Sequence, residues 1–151
     1  MNSKDIRKYW TYKYNSIYGK EYTAGNFLVE LSLIKKLLFK YEEYVVLEAI
    51  DRFLESVDKS KAFISYFASN KVFENKFEKL IKNKDIVKYK RTLNLANNDI
   101  RNLIKEYEEY SSAIILSNSE KIRKKEILEQ LEKISREVQM IKPSVPYIEQ
   151  R

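Results

Sequence analysis

Only two glycines and two prolines occur in this chain of 151 residues. Tight turns between strands lean on residues that reach positive φ or preset their φ, so a sheet of many short strands is hard to build from so few. Long segments with few turns fit better, and they predict an all-α protein. The apolar spacing agrees. Ile100, Ile104, Tyr107, Ser111 and Ile114 step by 4, 3, 4 and 3, and Ile127, Leu131, Ile134, Val138 and Ile141 repeat those steps. Each series draws one heptad-like seam along a helix. Between them, Ser117-Asn118-Ser119-Glu120 matches a capping box, in which the Ser and Glu side chains satisfy each other's backbone amides. Two helices joined by about three residues fold back as an antiparallel hairpin. Pro143 and Pro146 should end the second, because neither donates a backbone hydrogen bond.

The first half also reads as helices. Ile6, Trp10, Tyr14 and Ile17 recur at helical spacing, and Gly19 follows as a C-terminal cap. Asn26 is the expected N-cap of a second helix, with its apolar stripe at Leu28, Leu31, Ile34, Leu38 and Tyr41. A turn near Tyr41–Tyr44 leads to a third helix marked by Val46, Ile50, Phe53, Leu54 and Val57. Ala62–Phe67 reads as a short helical segment. Asn70 is the expected cap of a helix through Phe73, Phe77, Leu80 and Ile81. Ile86, Val87 and Tyr89 fall in a less regular stretch and are expected to be extended. This suggests an N-terminal multi-helix bundle over residues 1–91 and a hairpin with a proline-containing tail over residues 92–151.

Composition closes several routes to catalysis. The chain contains no Cys and no His, so disulfides, thiolate chemistry, His-based triads and His/Cys zinc sites cannot be written. With glycine only at Gly19 and Gly25, neither a Walker loop nor a dinucleotide fingerprint fits. Its many carboxylates sit in charged helical patterns, as in the i, i+4 pair Glu129 and Lys133. A non-enzymatic protein with no cofactor and no metal is expected. There is no apolar run long enough to span a bilayer and no signal-peptide core in the first residues, so a cytoplasmic location in a bacterial host cell and no membrane partner are expected.

The net charge of +7 is concentrated. Between Asp58 and Arg91 there are ten Lys or Arg against four Asp or Glu. Cations meet phosphates, and the interleaved Phe63, Tyr66, Phe67, Phe73, Phe77 and Tyr89 are rings of the kind that stack on bases. Lys71, Lys76, Lys79, Lys82, Lys84, Lys88, Lys90 and Arg91 are the candidate nucleic-acid ligands. With one Arg among them, they would use charge for affinity and read little sequence. Codons rich in A and T also favour Lys, Ile, Asn and Tyr, a second source of basicity. Near the N-terminus, Trp10 and Tyr14 are expected in the core. Tyr9 and Tyr12 fall on other helical faces beside Lys8 and Lys13, and these four are the candidate partner surface. Asp51 is expected to be partly buried and paired with a Lys or Arg.

The first 82 residues resemble small helical proteins encoded by phages and mobile elements of low-GC bacteria. The resemblance lies in Tyr18-Gly19-Lys20-Glu21-Tyr22, Ile34-Lys35-Lys36-Leu37-Leu38, Val46-Leu47-Glu48-Ala49-Ile50-Asp51, Tyr66-Phe67 and Phe73-Glu74. It implies a role in replication or another DNA transaction. The expected function is that of a DNA-associated accessory protein for replication or packaging, with the hairpin serving assembly into a homo-oligomer. The alternative is a helical adaptor or inhibitor that binds an acidic host protein through the aromatic and basic surface.

Overall fold

The structure, a computed structural model, describes residues 1–23 and 25–141. Nine α-helices and one short 3-10 turn are present among them, and no strand, so the protein is all-α. The expected role of Pro143 and Pro146 lies outside the described residues. The chain divides into two compact units, one closing at Lys82 and the other beginning at Asn83. Lys84, Lys88, Lys90 and Arg91 therefore belong to the second unit.

In the first unit, α1 (Ser3–Tyr18), α2 (Phe27–Lys40) and α3 (Glu43–Ser56) pack on one another. Three short helices complete it: α4 (Ile64–Phe67), α5 (Asn70–Lys76) and α6 (Glu78–Lys82). The ends of α1 are set locally. Asn2 accepts from the Asp5 amide at 2.9 Å, and the Asp5 carboxylate accepts from the Asn2 amide at 3.2 Å. Gly19 closes the helix at φ 69°, a left-handed conformation that strains any residue with a Cβ. Asn26 caps α2 as expected, its Oδ1 accepting from the amides of Leu28 and Val29. Tyr41 and Glu42 are extended and turn the chain into α3.

The α2 stripe differs from the expected one. Leu28 is 74% exposed, and the buried residues are Glu30, Ile34 and Leu37. Apolar side chains surround this helix, so spacing alone does not select its inner face. Asn70 is the first residue of α5 and not its cap, which is Ser69. The helix expected to run through Phe73 and Phe77 breaks at Phe77. The ring centroids of Phe73, inside α5, and of Phe77, at the break, sit 5.5 and 5.9 Å from that of Phe67.

These rings belong to an aromatic core. The Trp10 ring lies 5.8 Å from Tyr22, 6.0 Å from Phe53 and 5.3 Å from Phe67, all centroid to centroid. Trp10 is buried as expected, and Tyr14 is half-buried against Tyr18 and Tyr22. Edge and tilted contacts of this kind add to the burial of large rings.

The second unit holds α7 (Lys84–Thr92), α8 (Asn98–Ser112) and α9 (Asn118–Ile141). The residues expected to be extended form α7 and bury Ile86, Val87 and Tyr89. Helical pairing explains the change: the hairpin seams leave a third side open, and α7 fills it against α8 and α9. The Ser117–Glu120 capping box is present in both directions, and the connection between α8 and α9 is five residues. Ile100, Ile104 and Tyr107 on α8 face inward with Ile127 and Leu131 on α9. The seams are shorter than their sequence pattern. Ile114 lies beyond α8 and is exposed, Val138 is exposed, and Ser135 is buried. The burial of Ile141 lies outside the described side chains.

Replacing Trp10 by Ala should destabilise the first unit by about 3–5 kcal/mol, since the ring is fully enclosed. Tyr12→Ala, at an exposed site, should change stability by less than about 0.5 kcal/mol. Guanidinium titrations of both variants check the contrast, and equal losses would show that Trp10 is not the anchor.

Candidate nucleic-acid interface

Burial separates the rings of the basic block from its cations. Phe67, Phe73, Phe77 and Tyr89 are buried, and Phe63 and Tyr66 are half-buried. The expected base-stacking platform is therefore absent from these four buried rings, because their faces are committed to the core. Lys71, Lys76, Lys79 and Lys82 are exposed. The Lys76 ammonium lies over the edge of that core, with Nζ 5.1 Å from the Phe53 ring centroid, a cation–π contact. Within the first unit, an open groove of about 370 Å³ runs between α3 and the α5–α6 bend. Arg52, Lys76 and Lys79 line it, with Glu78 as the acidic member. Arg52 is held by the half-buried Glu48 at 3.0 Å and Lys82 by the exposed Glu78 at 3.0 Å, both i, i+4 pairs. Such pairs are worth little in water.

The four cations of α7 differ. Lys84 is exposed, but Lys88, Lys90 and Arg91 are half-buried. Lys90 pairs with Glu108 of α8 at 3.0 Å. Lys88 lies near Glu132 of α9, whose carboxyl is held below its usual range chiefly by hydrogen bonds from Tyr89 and Arg136. Lys88, Lys90 and Arg91, three of the expected nucleic-acid ligands, are thus only partly open to solvent. In a helix, Lys90 follows Ile86 and Arg91 follows Val87 by one turn, so both cations flank the buried face.

At the N-terminus, Tyr9 is buried, contrary to its reading as a partner contact, and its hydroxyl donates to Asp51 Oδ1 at 2.5 Å. Lys13 is half-buried and pairs with Asp51 at 3.8 Å and Glu55 at 3.1 Å, the partnership expected for Asp51. Lys8 and Tyr12 are exposed one helical turn apart. Of the four candidate partner residues, these two share an open face.

A buried charge escaped the sequence reading. Glu30 is 1% exposed, with Arg7 Nε donating to its Oε1 at 2.9 Å and the Tyr22 hydroxyl donating to its Oε2 at 2.5 Å. Tyr22 in turn accepts from the Ile64 amide at 3.0 Å. One carboxylate thereby ties α1, the α1–α2 connection, α2 and α4 together. Gly25, at φ 85°, makes room for it: a Cβ there would lie 2.3 Å from Glu30 Oε2. The available signal was the register of Glu30 with Ile34 and Leu37, at i, i+4 and i+7. With both oxygens bound and no access to solvent, this carboxylate is structural.

Among the described residues, no group of three or more acidic side chains is arranged to hold a metal ion, and no helix is long and apolar enough to cross a membrane. Comparison with protein-family models, with curated proteins and with solved structures found no match.

Burial, and then the hydrogen bond to Glu30, push the Tyr22 hydroxyl well above its ordinary value of 10.0. The folded state therefore holds this proton more tightly than the unfolded state does. The resulting stability is complete below pH 10 and is lost as pH rises toward the folded value. Tyr22→Phe should cost about 1–3 kcal/mol at neutral pH, because it leaves polar atoms of Glu30 and Ile64 without their partner. It should also flatten the loss of stability above pH 10. Denaturant titrations from pH 7 to 11 check both effects.

Proposed function

We propose that this chain is a non-enzymatic, DNA-associated accessory protein of a phage or mobile element, serving replication or packaging. The first unit would contact duplex phosphates through Lys71, Lys76, Lys79 and Lys82, with Arg52 across the groove. The observation that carries the reading is this open cationic groove on a unit whose neighbouring rings face inward. Charge without rings or bidentate Arg contacts suits backbone binding that is indifferent to sequence. In the second unit, Lys84 would offer a phosphate contact of its own, and Lys88, Lys90 and Arg91 would contribute less because neighbouring helices share them. The resemblance of the first 82 residues to phage and mobile-element proteins supports the setting.

A second reading, an adaptor or inhibitor that binds an acidic host protein, is favoured by the exposed Lys8–Tyr12 face. The two readings separate by experiment. If four to six phosphates are neutralised, log affinity for duplex DNA should fall with log salt at a slope of about −4 to −5. Combining Lys71→Glu, Lys79→Glu and Lys82→Glu should weaken binding to all sequences alike and make the slope shallower by about 1 per site. The fold should persist, since all three side chains are exposed. Fluorescence anisotropy over a salt series tests this. Absence of binding by the wild type at low salt, or unchanged affinity in the triple variant, would defeat the DNA reading.

A further inference from the structure

Four rings of the basic block are closed inside the core, but Phe63 and Tyr66 are half-buried. Phe63 caps the start of α4 and Tyr66 lies within it, three residues on. Their rings meet edge to face, with centroids 6.0 Å apart. Other tyrosines have structural work. Tyr9 and Tyr89 commit their hydroxyls to Asp51 and Glu132. Among the described residues the Tyr66 hydroxyl has no hydrogen-bond partner.

Charge surrounds this ring. Lys61 is exposed, and its Nζ lies 5.8 Å from the Tyr66 centroid. The 3-10 turn Lys59–Lys61 carries two lysines, with Asp58 at its start as the opposing carboxylate. A cation–π contact at an exposed site is weak, so Lys61 is free to leave the ring. Tyr66 also stands beside the end of the cationic groove. Its centroid is 6.1 Å from that of Phe53, and Lys76 of the groove wall has Nζ 5.1 Å from the same Phe53 centroid. One buried Phe thus separates a groove cation from a ring that the core does not close over. Nucleotides succeed one another by about 3.4 Å along a strand. A strand with a phosphate at Lys76 therefore brings one of its next few bases to Tyr66.

We infer that an unpaired base stacks on Tyr66 where a DNA strand leaves the groove, so that a duplex with a single-stranded overhang is bound in preference to a blunt one. A cation for the backbone and a ring for the base are the combination that holds single strands. Bases within a duplex cannot use the ring, because their faces are stacked on one another. Lys61 moves off the ring and meets the phosphate of the stacked nucleotide, while Phe63 supports Tyr66 from its edge. Every base has a flat face, so the contact reads strandedness and not sequence. The inference rests on the reading of the groove as a phosphate site.

The test compares two DNAs in fluorescence anisotropy, a blunt duplex and the same duplex with a short thymine overhang. Wild type should bind the overhang DNA about fivefold more tightly or better. Tyr66→Ala should remove that advantage while leaving the affinity for blunt duplex and its salt slope unchanged, since the ring carries no charge. Tyr66→Phe should keep the advantage. Unchanged thermal melts would show both variants folded. Wild type supplies a readout that needs no variant: the Tyr66 ring resonances should shift with overhang DNA and stay in place with blunt duplex. Equal affinity of wild type for the two DNAs, an advantage that survives Tyr66→Ala, or unmoved Tyr66 resonances would each overturn the inference and leave the groove reading standing. No binding of either DNA at low salt would defeat the groove reading and this inference with it.

Discussion

The aromatic cluster around Trp10, Phe53 and Phe67 is the constraint on which the first unit depends. Large rings bury more apolar area than any other side chains and pack edge to face at a few preferred distances. Their demand shapes the surrounding helices. It accompanies the break at Phe77 that separates α5 from α6, and it holds Phe73 and Phe77 beneath the lysines that alternate with them in sequence. The surface above is left with charge and almost no ring faces. A chain that looks like a base-stacking module in one dimension is a cationic skin over an aromatic core in three.

The Glu30 clasp works against that core energetically and with it geometrically. Removing a carboxylate from water is expensive, and only the paired contacts with Arg7 and Tyr22 make it tolerable. The return is directional. Dispersion contacts among rings tolerate small rotations of a helix, whereas a carboxylate bound at both oxygens does not. Glu30 thereby fixes which of α2's apolar sides faces inward, and it leaves Leu28 and Phe39 outside.

Local signals were legible in the sequence, and tertiary choices were not. Gly19, Asn26 and the Ser117–Glu120 pair act within a few residues of their own backbone, so their roles could be read directly. The all-α class followed from the scarcity of turn residues. On α2, apolar residues surround the helix, and the inner face was chosen by Arg7 and Tyr22, which spacing does not see. On α7, charges at Lys84, Asp85, Lys88, Lys90 and Arg91 hide a buried face only two turns long. The candidate site was legible as a concentration of charge. Which cations are open to solvent required the neighbouring helices, since Lys88, Lys90 and Arg91 flank a buried face while Lys71 and Lys79 do not.

The central functional claim is that nucleic acid meets the α3–α6 groove through charge alone. Chemical-shift mapping of the isotope-labelled chain during addition of a short DNA duplex at low salt tests it most directly. The expected result is a set of perturbed amides centred on Arg52, Asn75–Lys79 and Lys82, with the ring resonances of Phe67, Phe73 and Phe77 unchanged. Perturbations centred on Lys8 and Tyr12 or on the exposed Phe39, or none at all, would contradict the claim.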